Sequence, residues 1–219
     1  KNDVLDKLLR QESMPEGLGL SLVQMAQNAE NDSVWRDYCV QFMDPCYARL
    51  AGELPADDAD SADQESHQSV SSVGQQEQIR EAMFAALDER GDTLAGTALI
   101  GLENLSRTYD EFDRELIAEK AVEIAADDLA STESRLTALR LSATGNLKLE
   151  TGNLKLATVE TARELAQTGE TVYMRSAAIV TLGEVGTEDD RELLESFALS
   201  DNRQIVAAAK MALAKMDAD

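Results

Sequence analysis

The chain has 219 residues, 43% of them hydrophobic, enough to bury about 70% of its unfolded surface without help from metal or disulfide. Aromatic residues make up only 4%, and three prolines and twelve glycines cannot punctuate the many short strands of a sandwich or barrel; an all-β fold is excluded, and a core of Leu, Ala, Val, Ile and Met on helices is expected. The formal charge of −22, from 42 acidic and 20 basic residues, argues against nucleic acid and anionic membrane as partners; it favours basic proteins, peptides or cations, and it also serves plain solubility.

The predicted elements run as follows. The chain opens with Lys1, with no Met and no apolar leader behind it, which reads as a processed or trimmed chain and leans towards an exported or periplasmic protein, with the cytoplasm as the alternative. Pro15 suits the first position of a helix, and Asp32 and Ser33 offer an N-cap before a helix over Trp35 to Met43. Glu53 to Gln76 has six acidic residues, five serines and no Lys or Arg, so it is expected to be a loop or linker. It divides an N-terminal piece, 1–52, from a larger block, 77–219. Within that block apolar stripes predict helices at Ile79 to Leu87, Leu94 to Leu102, Leu116 to Leu129, Arg135 to Ala143, Leu154 to Leu165, Tyr173 to Gly183, Leu193 to Leu199 and Gln204 to Ala214. Ser131 to Ser134 and Thr187 to Asp190 supply capping side chains, and Gly183 and Gly186 read as stops. Thr144 to Glu150 is repeated at once as Thr151 to Ala157 with six of seven positions identical, a local duplication whose Leu-Lys-Leu alternation also suits a short hairpin. No run approaches the 18 or so apolar residues of a membrane span, so no membrane insertion is expected.

Repeats carry the strongest signal. Tyr173 to Gly183 aligns without gaps on Gln204 to Ala214 at an offset of 31, with Ala178 and Leu182 matching Ala209 and Leu213 on one helical face. Arg135 to Ala143 fits at an offset of 39 and Leu94 to Leu102 at 80, while Trp35 to Met43 is a divergent copy with Arg36 on the Arg175 position. The pattern Arg175-x-x-Ala178-x-x-x-Leu182-Gly183, followed by an acidic turn and Glu192-Leu193-Leu194, resembles HEAT repeats and the related armadillo-type and phycobilin-lyase-like helical repeats over about 130 residues. The resemblance implies an all-α superhelix, a solenoid of about four to five HEAT-like helical hairpins that holds a partner on its concave side or along its loops. The last copy, Asn202 to Met216, looks like a first helix without its second, either a terminal cap or a cut.

Chemistry has little material to work with. His67, the one histidine, has no His or Cys near it in sequence, and no phosphate-binding, serine-elbow or zinc-helix motif occurs, so no catalytic residue, metal site or cofactor is expected. Asp57, Asp58, Asp60 and Asp63 resemble a calcium loop but lack its Gly and final Glu. Asp127, Asp128, Asp189 and Asp190 suit helix ends. Cys39 and Cys46 lie about 10 Å apart on a continuous helix, too far for a disulfide, unless Pro45 folds the chain back; a bridge and two separate thiols both stay open. Trp35, Tyr38 and Phe42 share one helical face, as core or, if exposed, as a peptide-binding patch. The function expected is a non-enzymatic interaction scaffold or adaptor for a protein or peptide. A cap of a larger assembly, or a HEAT-like lyase or glycosylase, is the alternative.

Overall fold

The computed structural model describes residues 2–11, 14–52, 66–143 and 152–218; the acidic stretch 53–65, with Asp57, Asp58, Asp60 and Asp63, and the first copy of the tandem heptad lie outside them. The described residues are all-helical, and the chain divides into two compact units, Lys1–Tyr109 and Asp110–Asp219. None of their helices is long and apolar enough to cross a membrane. In the second unit the boundaries follow the capping chemistry. Asp113, Thr171 and Asn202 each accept backbone N–H bonds at the start of the following helix, which relieves the orphan donors there.

The first unit contains α1 (Asn2–Leu9), α2 (Leu18–Gln27), α3 (Ser33–Gly52), α4 (Ser66–Ala86) and α5 (Leu94–Ser106). Helix α3 is the hub, packing on all four others. It buries Cys39, Val40, Met43, Cys46, Tyr47 and Leu50, a stripe worth on the order of 1.5–3 kcal/mol for each large apolar side chain. Asp32 caps it through a 3.1 Å bond from the Trp35 N–H. Pro15 does not open a helix: its carbonyl accepts from Leu18 in a turn, and α2 starts after Gly17, whose φ of 71° only glycine adopts readily. Part of the expected linker is helix too. α4 begins at Ser66, and within it Gln75 and Gln76 are buried one turn before Ile79, carrying the stripe of Ile79 and Met83 into the expected linker.

The second unit contains α6 (Arg114–Ala126), α7 (Thr132–Ala143), α8 (Gly152–Thr168), α9 (Val172–Val185), α10 (Arg191–Ala198) and α11 (Arg203–Met216), with a 3-10 turn at Glu188–Asp190. Here α9 packs most extensively on α11 and next on α8, α6 packs on α7 and α10 on α11, and smaller contacts join α7 to α9 and α6 to α8. The last helix, α11, packs on both α9 and α10. Ala178, Leu182 and Ala209 are fully buried, whereas Leu213 on α11 is half-buried.

Three arginines make the same tie between consecutive helices. Arg36 Nε donates to the carbonyl of Ala26 at 2.6 Å, Arg135 Nε to that of Ala125 at 3.2 Å, and Arg175 Nε to that of Ala166 at 3.0 Å. Each acceptor lies in the last turn of the preceding helix, where carbonyls lack intrahelical donors, so each arginine ties a hairpin shut. Equating Arg135 with Arg175 shifts the expected alignment by one residue and puts Ala138 on Ala178 and Leu139 on Ile179, all fully buried. Gly183 is not a stop either. It sits inside α9, where a Cβ would come 2.5 Å from Ala212 Cα, so it is the contact point of α9 with α11; Gly186 is the C-cap. The second heptad copy from Gly152 onward falls in α8, with no strand among those residues, and α6 ends before Leu129, which is 81% exposed.

Candidate partner-binding groove

On α3 the polar residues Asp37, Gln41 and Asp44 recur at four and three positions, which aligns them along one side of the helix. With Phe42 and Pro45 they form one wall of a groove of about 400 Å³ whose other wall is Thr97, Ile100, Gly101 and Asn104 of α5. Gly101 lets α5 pack closely: a Cβ there would lie 2.5 Å from the buried Met83 methyl and 3.4 Å from Asp44 Cβ. Ile100 is 46% exposed and supplies an apolar lip.

The groove is rich in acceptors and contains no Lys or Arg. One oxygen of Asp37 accepts from the Thr93 and Thr97 hydroxyls at 2.9 and 2.7 Å, and one oxygen of Asp44 from the Asn104 amide at 3.0 Å. Those bonds fix both carboxylates without neutralising them. Burial pushes the Asp44 carboxyl above the usual carboxylate range, and the Asn104 bond offsets this only in part. Pro45 stands inside α3 and has no N–H to give the carbonyl of Gln41, four residues back.

Other carboxylates are accounted for by structure. Asp190, whose side chain is 1% exposed, is gripped by Arg163 through both its oxygens and by the Thr187 N–H at 2.8 Å in a capping box. Burial raises its pKa, but the bonds from Arg163 and Thr187 outweigh that and hold the carboxyl below the ordinary value. Glu103, equally buried, is paired with Arg107 through two bonds of 2.8 and 2.9 Å. Asp128 pairs with Arg135 at 3.3 Å. Among the described residues no three His, Cys, Asp or Glu side chains converge as metal ligands would. His67 falls in α4.

The residues singled out from the sequence fare unevenly. Trp35, Tyr38 and Phe42 are each half-buried, neither core nor an exposed patch, and of the three only Phe42 reaches the groove. Cys39 and Cys46 are separate buried thiols, because α3 runs on through Pro45 instead of folding back. Desolvation pushes the Cys39 thiol up to about 11, so it stays protonated and inert at neutral pH. No sequence motif marks Asp37, Gln41 and Asp44; the available signal is their common face, together with the proline that strips Gln41 of its helical donor. A larger groove of about 650 Å³ lies between α7 and α9, walled by Ala177, Val180 and the 68% exposed Tyr173, but its lining offers no comparable set of charged acceptors. No family model, no curated protein and no solved structure matches the chain.

Proposed function

We propose that the chain is a non-enzymatic interaction module, a HEAT-like α-solenoid of about four to five hairpins that holds a basic segment of a partner protein. The α3–α5 groove carries this reading: a walled, acceptor-rich channel with two carboxylates and no cation of its own. The three arginine-to-carbonyl ties support the repeat architecture, since three hairpins use the same side chain at the same place for the same purpose. The net charge of −22 adds a long-range field that speeds the encounter with a basic segment, while contacts in the groove set how long it stays.

The test is an array of immobilised basic, neutral and acidic peptides probed with the full chain. Selective retention on the basic peptides is expected at ionic strengths near 0.02 M, fading as the Debye length falls from about 20 Å to a few ångströms near 1 M. Equal retention on all three classes, or on none, refutes the proposal.

A further inference from the structure

Resting on that partner-holding reading, we propose that the α3–α5 groove recognises a specific spacing of basic side chains: two arginines separated by two residues in an extended, polyproline-II-like segment lying along α3. Asp37 and Asp44 are seven positions apart on α3, a rise of about 10 Å. A polyproline-II segment advances about 3.1 Å per residue with three residues per turn, so side chains at i and i+3 leave the same face about 9.3 Å apart. That matches one cation to each carboxylate. Adjacent arginines are too close and point in different directions, and arginines six apart overshoot the pair.

Arginine fits the chemistry better than lysine. A guanidinium offers five N–H donors and no acceptor, and the groove presents acceptors to match: a second oxygen on Asp37 and on Asp44 without a partner among the described residues. The Phe42 ring and the exposed side of Ile100 give the aliphatic stems an apolar surface. Asp44 is partly desolvated without a cation beside it, so an incoming guanidinium removes an existing electrostatic penalty there. Asp37 and Asp44 are held from the side by Thr93, Thr97 and Asn104, and neither has to reorganise to receive the ligand.

The experiment measures fluorescence anisotropy of dye-labelled peptides against the full chain. Each peptide carries two arginines in a Pro/Ser background, adjacent, three apart or six apart, so that total charge is constant. The three-apart peptide is expected to bind about fivefold tighter than either of the others, an advantage of about 1 kcal/mol. Asp44→Asn and Asp37→Asn should each erase that advantage, and Gln41→Lys, an exposed substitution that leaves the core untouched, should do the same by placing an ammonium on the groove wall. Glu119→Gln, the same change of charge at an exposed position on α6, should leave the spacing preference intact. If all three spacings bind equally, attraction is by the general acidic field and the groove proposal falls while the partner-holding reading stands. If a spacing preference persists in both Asp44→Asn and Gln41→Lys, the groove is the wrong site. Absence of binding by every peptide overturns the inference and the basic-partner reading together.

Discussion

Gly183→Ala tests the packing on which the second unit depends, because two opposing effects can be weighed there. Replacing glycine by alanine inside a helix ordinarily stabilises by about 1 kcal/mol. At Gly183 the new methyl would sit 2.5 Å from the Cα, 2.7 Å from the Cβ and 3.1 Å from the carbonyl oxygen of Ala212. Carbon atoms pack at about 3.5–4.0 Å, so α9 and α11 would have to separate by about 1 Å. The obstacle is backbone and cannot swing aside. Separation loosens the buried surfaces of Ala178, Leu182, Ala209 and Ala212, and overpacking of this kind costs about 1–3 kcal/mol. With the clash against backbone the upper half of that range applies, leaving a net loss of about 1–2 kcal/mol, or about 2–8 °C in Tm at 2–4 °C per kcal/mol. Gly74, exposed on α4 with no atom within 4 Å of the place a methyl would take, gives the contrast: Gly74→Ala should gain about 1 kcal/mol. Thermal unfolding followed by far-UV circular dichroism reads both. If Gly183→Ala matches or exceeds the stability of the unsubstituted chain, the close approach of α9 to α11 is refuted.

Arg135→Ala should destabilise the second unit by about 2–4 kcal/mol in urea unfolding, since it leaves the buried carbonyl of Ala125 without its donor and empties the space of a side chain that is 6% exposed; a loss under about 0.5 kcal/mol would mean the tie is ornamental. Asp44→Asn should raise Tm at neutral pH by a few degrees. The folded-state pKa of Asp44 is raised, so its stabilising contribution is whole below the ordinary carboxylate value, near 4, and is lost as pH rises through the raised value; the variant's advantage should vanish under acid, and an advantage that persists there would contradict the cause assigned. Asp190→Asn should have the opposite profile. Its folded-state pKa is lowered, so its contribution is whole above pH 4 and is lost as pH falls through the lowered value; the variant should be about 2–4 kcal/mol less stable at neutral pH and converge on the unsubstituted chain only in strong acid.

Helix positions are legible in the sequence because they depend on local periodicity and caps. Ala178, Leu182 and Ala209 are buried where their stripes place them, and Asp32, Ser131 and Thr187 cap as their residue types suggest. Residues with two physical meanings are where the expectations fail. Glycine near a helix end is either a stop or a contact point, and only the position of Ala212 decides for Gly183. Proline either turns a chain or is carried inside a helix, and the packing of α3 on its neighbours carries Pro45 through, which leaves Cys39 and Cys46 apart. Gln75 and Gln76 look like linker until Ile79 and Met83 extend a common face through them. The groove is illegible for a different reason: its second wall, Thr97 to Asn104, is supplied by a helix about 60 positions along, and no pattern within α3 announces which of its faces will meet that helix.

The direct measurement is a backbone-amide NMR titration of the isotopically labelled chain with the peptide carrying arginines three apart. The groove predicts shifts concentrated on α3 from Asp37 to Asp44 and on α5 from Thr97 to Asn104, saturating together at one affinity. Shifts scattered over exposed Asp and Glu throughout both units, without saturation, would contradict it.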